Sequence, residues 1–314
     1  THLIFMMRSI KILSGFIALV VLISVSCVPA KKDDLTDVVI NFQDSIQQKI
    51  LTLQDLQLSD SLTHWLDHED ATYRYLTLRA FASIKDHDQL ENLVVALSDE
   101  IKAVRQQAAY ALGQSGDQKA EEALISAFDS EDSLRQNQEF NAVVLEAIGK
   151  IGSLSSLNHI ASVSTYRPTD TTLLLGQAKA IYRFATRGYT SEKGTDRMVE
   201  FVKGSIYPTD VQWVAANYLM RAKDIDLSSH SAILNSAFKG QNTPEIKMCL
   251  ALALGKSPIE TTRKTLIGEL NKAQDYRVHC NILRALKAFD LNLHFEAVQD
   301  KLKDEHVAVA QCAA

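Results

Sequence analysis

Residues 176–194 read GQAKAIYRFATRGYTSEKG and set Tyr182, Arg183, Arg187 and Tyr189 within two helical turns. Aromatic faces beside guanidinium groups could hold a phosphate, a base or a partner chain. His64 and His68 in HWLDH stand four apart, so a helix would place both imidazoles on one face, as two metal ligands can be. No glutamate sits between them in the H-E-x-x-H manner and no third ligand is indicated, so a helix end bordered by Asp67, Glu69 and Asp70 is the expected reading. GKSP at Gly255 imitates the tail of a phosphate loop. Position 250 is Leu rather than Gly, however, and the segment ends a helix where a phosphate loop begins one. Glu121, Glu122, Asp129, Glu131 and Asp132 read as solvated charge rather than as an acid and base pair. No serine nucleophile elbow or Cys–His arrangement is visible, so no catalytic, cofactor or metal site is expected.

The elements that must position these groups follow from composition. A chain of 314 residues, 46% hydrophobic and 23% charged, is long enough to bury a large core. Only 12 Gly and 5 Pro interrupt a sequence rich in Ala and Leu, which predicts an all-α fold. The formal net charge of −5 supplies no overall field for nucleic acid. Cys27, Cys249, Cys280 and Cys312 lie far apart with no C-x-x-C pair, which argues against a zinc site or a dense disulfide framework; no bridge is assigned.

The amino terminus stands outside the fold. MMRSIKILSGFIALVVLISVSC carries Arg8 and Lys11, an apolar run of about 14 residues, then small residues before a cysteine. A membrane span needs about 20 apolar residues, so residues 1–27 read as a secretory signal. Through Val25-Ser26-Cys27 it resembles a bacterial lipoprotein signal, with Ser24 where leucine is commonest. The resemblance implies lipid on Cys27 and an exported, membrane-anchored lipoprotein in the periplasm or outer membrane. Residues 28–45 then form a polar tether, and 46–314 the folded domain.

A repeat organises the rest. Phe81, Leu112, Ile148, Phe184, Leu219, Leu254 and Leu286 recur at offsets of 31, 36, 36, 35, 35 and 32. Three positions before them stand Leu78, Ala109, Leu145, Ile181, Ala216, Ala251 and Leu283. Four before stand Thr77, Ala108, Val144, Ala180, Ala215, Leu250 and Ile282; a further turn back come Tyr73, Val104, Phe140, Gly176, Val211, Ile246 and Val278. Such spacings make one apolar helical stripe. A shorter helix precedes each striped one, from SLTHWLDHED to HFEAVQDKLKDE. A single pair cannot cover its own apolar face, so neighbouring pairs must stack, giving an α-solenoid of about seven to eight helix pairs. Gly113, Gly149 and Gly255 follow their stripes, where a left-handed cap or a close backbone crossing favours glycine.

Asp99-Glu100 before Val104-Arg105, then AAYALGQSGD, resembles a HEAT repeat. The resemblance implies that Arg74, Arg105 and Lys247 are structural, laddering with acids of neighbouring turns. In order, QQKILTLQDLQ, ATYRYLTLRAFASIKD, VRQQAAYALGQSGD, LEAIGKIG and GQAKAIYRFATRGYTSEKGTDRMVEFV resemble the HEAT-repeat portion of Bacteroidetes cyclophilin-type peptidylprolyl isomerases. In that family the helical array precedes a catalytic β-barrel. Here no Phe-His-Arg segment and no Gly-Gly-Asp turn of that kind occurs, so no catalytic residue is carried over, and isomerase activity belongs to the implied parent protein.

Beside the buried stripe, two columns carry Tyr75 and Trp213 in one, and Arg79, Tyr110, Tyr182 and Arg284 in the other, with Arg183 adjoining. In a solenoid the second helices usually line the concave side, which makes this ridge the expected surface for a polypeptide partner; aromatic and Arg residues are favoured anchors. A noncatalytic scaffold at the front of an isomerase therefore leads. A stand-alone envelope spacer and a helical-repeat enzyme are the alternatives. No small-molecule ligand is expected.

Overall fold

The computed structural model describes residues 38–314 apart from Ser133 and Thr165. The expected signal segment, the lipid-bearing Cys27 and most of the expected tether lie outside the described residues. Residues 38–44, which the sequence assigns to that tether, are pinned to the fold. Val39 N donates to Thr72 Oγ1 at 3.0 Å, Gln47 Nε2 to Val39 O at 3.1 Å and Asn41 N to Gln47 Oε1 at 2.9 Å. Backbone groups of this segment are thus satisfied by the side chains of Thr72 and Gln47 on the folded helices.

Seventeen α-helices and no strand are present among the described residues. Helix α1 (Ser45–Asp55) is followed by eight pairs. These are α2 (Ser59–Leu62) with α3 (Ala71–Ile84), α4 (Leu90–Val95) with α5 (Lys102–Ser115), α6 (Glu121–Ala127) with α7 (Gln138–Ile151), and α8 (Leu154–Ser162) with α9 (Thr171–Thr186). Then come α10 (Glu192–Phe201) with α11 (Thr209–Arg221), α12 (Ser231–Gly240) with α13 (Pro244–Leu254), α14 (Glu260–Leu270) with α15 (Tyr276–Leu286), and α16 (Phe295–Lys301) with α17 (Val307–Ala313). Aspartate or serine opens many of them: Asp44, Asp70, Ser153, Ser191 and Asp275 each accept a hydrogen bond from the first turn of the helix they precede. Within residues 38–314 no helix is long and apolar enough to cross a membrane.

Each second helix packs on the next, so α1 and the odd-numbered helices form one continuous row, while each even-numbered helix covers its own partner. Every member of the four apolar columns is buried. Of the two readings left open for Gly113, Gly149 and Gly255, the close crossing holds for all three: they face Ala147, Ala180 and Ala285 of the next second helix. Left-handed caps fall instead at Lys85 and Gly116, with φ of 60° and 76°. The crossing of α7 and α9 is reciprocal, because Gly176 also meets Ala142.

A polar column holds the turn inside each pair. Arg74 Nη1 donates to His68 O and Glu69 O at 2.7 and 3.0 Å, and Arg105 Nη1 to Asp99 O and Glu100 O at the same two distances. The equivalent positions in later repeats do the same work with other side chains. Asn141 Nδ2 donates to Asp129 O at 2.8 Å, Gln177 Nε2 to Ile160 O and Val163 O at 2.7 and 2.8 Å, and Gln212 Nε2 to Tyr207 O at 2.7 Å. His279 stands in the same register, with its Nε2 buried and without a hydrogen-bond partner among the described residues. Lys247 departs from the pattern, reaching Glu269 Oε2 on α14 at 2.9 Å. Free carbonyls at the end of a first helix would otherwise be buried without donors.

Candidate partner-binding ridge

The structure places Tyr75 and Arg79 on α3, Tyr110 on α5, Tyr182 and Arg183 on α9, Trp213 on α11 and Arg284 on α15. Trp213 and Tyr110 are open, with 50% and 41% of their surface exposed. Arg79 and Arg284 are exposed as well, whereas Tyr75 and Tyr182 are half-buried against the core. Two neighbours in the same columns, Ala178 and Cys280, are buried.

The centre of the ridge is joined by contacts across helices. Arg183 directs Nε and Nη2 to Glu146 Oε1 at 3.0 and 2.8 Å, and Lys179 and Lys150 stand 3.5 and 3.9 Å from the same carboxylate. Lys150 Nζ lies 4.6 Å from the centre of the Tyr110 ring, and Arg221 Nη1 donates to Tyr182 Oη at 3.4 Å. Burial would raise the Glu146 carboxyl, but the Arg183 hydrogen bond together with the Lys150 and Lys179 charges holds it below the ordinary glutamate value. Burial lowers Lys150, opposed by Glu146.

Arg187 is spent on structure. Its guanidinium donates to Gly152 O at 2.8 Å, Ile151 O at 3.2 Å and Gly149 O at 3.3 Å, capping the C-terminus of α7 from the following second helix. Lys256 repeats the device at α11, donating to Ala222 O at 2.6 Å. Segment 176–194 is thus chiefly a rung of the scaffold: Ile181 and Phe184 fill the core, Arg187 caps a neighbour, and Tyr182 with Arg183 contributes to the ridge. A cavity of ≈ 200 Å³ opens among Gln114, Lys150, Arg183, Thr186 and Arg187, so its walls are cationic. Sequence columns had not singled out Glu146, Lys150, Lys179 or Arg221 as its partners; the four-residue spacing of Glu146 and Lys150 was the readable signal.

His64 and His68 pack against an aromatic side chain. Their rings lie 4.9 and 5.7 Å from the ring of Trp65 between them, and His68 Nδ1 accepts from Asp70 N at 3.0 Å. Asp70 in turn caps α3, which matches the helix-end reading. A groove of ≈ 920 Å³ borders these residues, and its Asp99 is already engaged by Arg74.

Glu146 carries a pH signature. A carboxyl held below its unfolded value contributes stability that is present above about pH 4.5 and is lost as pH falls through the folded value. Thermal melts should show a steeper loss between neutral pH and about pH 3 for the wild type than for Glu146→Gln. At neutral pH the variant should be less stable by about 1 kcal/mol, because the cations it leaves are partly solvated.

Stacked helix pairs of this kind define the class: the chain is an all-α, HEAT-like α-solenoid. The HEAT repeats family matches residues 59–143, so this stretch is a HEAT-repeat region. The crystal structure of an engineered protein shares the fold at a TM-score of 0.56 with 19% identity, covering 85% of this chain and 79% of that one. Looser matches are human deoxyhypusine hydroxylase in complex with glycerol (TM-score 0.36, 18% identity, 83% of this chain and 96% of that one) and a second engineered protein (0.28, 17%, 81% and 95%). A search of curated proteins gives no match.

Proposed function

We propose that this chain is a noncatalytic, polypeptide-binding scaffold of an exported lipoprotein anchored through Cys27, and that it forms the N-terminal part of a peptidylprolyl cis–trans isomerase. The ordered resemblance of residues 46–290 to the helical portion of cyclophilin-type isomerases supports the second half of this reading. The observation that carries the first is the ridge. Lys150, Lys179 and Arg183 surround Glu146, Lys150 lies over the open Tyr110 ring and Arg221 reaches Tyr182, so with open Trp213 on the same ridge a positive strip stands on a chain of net charge −5. Rigid aromatic faces with adjacent cations suit an acid-rich polypeptide, whose carboxylates would meet the guanidinium and ammonium groups while its apolar side chains cover the rings.

Tryptophan emission tests this directly, because Trp213 is half exposed while Trp65, the other tryptophan of the chain, is buried. Titration with a Glu- and Asp-rich peptide should shift the emission of Trp213, and a Lys-rich peptide of equal length should not. The double variant Trp213→Ala/Tyr110→Ala, followed by anisotropy of a labelled peptide, should bind at least about tenfold more weakly. Its melting temperature should be nearly unchanged, since exposed positions change stability by only about 0.5 kcal/mol. Equal affinity of wild type and variant would leave the spacer reading in place.

A further inference from the structure

The last two odd-numbered helices bring two thiols together. Cys280 on α15 and Cys312 on α17 open onto one cavity of ≈ 460 Å³. Cys280 is buried and its Sγ donates to Ala308 O at 3.4 Å. Ala308 stands one turn before Cys312 on α17, so this bond brings Cys312 to the side of Cys280, and both thiols line the same cavity. Burial, then the Cys312 thiol, pushes the Cys280 thiol up to about 11. Cys312 is half-buried and the more accessible of the two. At the mouth, Arg284 and Lys287 are exposed cations, while Arg277 is matched by Asp275 and Glu245. Cys249, buried on α13, is not among the residues lining this cavity.

We propose that Cys280 and Cys312 form a dithiol site that exchanges with a small anionic disulfide and closes into a bond tying α17 to α15. The thiolate of Cys312 attacks one sulfur of the disulfide RSSR, giving a mixed disulfide on Cys312 and expelling RS⁻. Cys280 then gives its proton to solvent and attacks Cys312 Sγ, expelling the second RS⁻. Both leaving thiolates take up protons, so two protein thiols and RSSR yield one protein disulfide and two RSH, with two electrons passed to RSSR. The exposed cations at the mouth favour an anionic co-reactant over a cationic one.

The test treats the whole reduced chain with oxidised glutathione, traps free thiols and reads tryptic peptides without reduction. The expected main product links VHCNILR (278–284) to the tryptic peptide that begins DEHVAVAQC at Asp304 and carries Cys312, with MCLALALGK, the Cys249 peptide, unmodified. Cystamine, a cationic disulfide, should react roughly fivefold more slowly at equal concentration. In Cys280→Ser the glutathione adduct should accumulate on Cys312; in Cys312→Ser, Cys280 should stay reduced. A linked peptide holding less than roughly a tenth of Cys280, or a wild type that stops at the Cys312 adduct, would overturn the proposal. So would equal rates with the two disulfides, as far as the anionic co-reactant is concerned.

Discussion

Gly149→Ala should destabilise the centre of the stack by about 2–3 kcal/mol, although alanine is the better helix former by about 1 kcal/mol. A Cβ on Gly149 would lie 2.6 Å from both Cα and O of Ala180, which are backbone atoms and cannot rotate away. Relief requires α7 and α9 to separate, and the same movement opens the reciprocal contact of Gly176, whose Cβ would stand 2.7 Å from Ala142 Cα. Steric cost therefore exceeds the gain in propensity. Gly268→Ala is the matched control, because Gly268 lies inside α14, is exposed, and has nothing within 4 Å of an added Cβ. That substitution should stabilise the protein by about 0.5–1 kcal/mol. Urea midpoints of the two variants should move in opposite directions. A lowered midpoint for both would mean that the α7–α9 crossing is not what makes Gly149 special, and hydrogen exchange should find the weakened protection of Gly149→Ala concentrated in α7 and α9.

The contrast between those glycines shows which parts of the fold the sequence makes legible. The apolar columns could be read because burial follows helical spacing alone: Leu78, Ile181 and Leu283 are buried wherever neighbouring repeats stack, whatever the exact register between them. Gly149 could be flagged by its place after the stripe, but choosing between a cap and a crossing needs the position of Ala180 on the next helix. The ridge was legible as columns and not as chemistry. Glu146 and Arg183 are 37 residues apart, and whether they meet depends on how α9 slides along α7. The polar column was read only where it kept Arg or Lys. Asn141, Gln177 and Gln212 hold the same register seven residues before Ile148, Phe184 and Leu219, and a change of residue type concealed a constant task. The two first helices at the ends of the series came out shorter than their patterns: SLTHWLDHED holds only the end of Ser59–Leu62 and a 3₁₀ turn at Thr63–Trp65, and HFEAVQDKLKDE narrows to Phe295–Lys301, since a final turn can tighten without moving its apolar face. Helix α1 joins the row of second helices as its first member, and the columns, which begin at Tyr73, did not contain it.

Arg74→Met should be the most damaging single change in the polar column, at about 3–5 kcal/mol. Arg74 and Asp99 are each only 9% exposed at the side chain, and they meet through two bonds, Nε to Oδ2 at 2.7 Å and Nη2 to Oδ1 at 3.0 Å. Hydrogen bonding to Asp99, together with its charge, outweighs burial and raises the guanidinium further above its already high value, so it stays charged. Methionine would keep much of the stem volume yet strand a buried carboxylate and leave the His68 and Glu69 carbonyls without their donor. Asp99 has one remaining duty, accepting from Ile101 N at 2.8 Å where α5 begins, and that bond cannot compensate a lost counter-charge. Arg105→Met removes donors from two carbonyls but strands no carboxylate by that route, so it should cost about 1–2 kcal/mol. The double variant Arg74→Met/Asp99→Asn should be more stable than Arg74→Met alone, because the amide carries no charge and still offers an oxygen to Ile101 N. Denaturation of the wild type, Arg74→Met, Asp99→Asn and the double variant decides the matter. Additive losses in the double variant would show that Arg74 acts through the turn carbonyls rather than through Asp99. Partial recovery would show that the pair between successive repeats is what makes this position so sensitive.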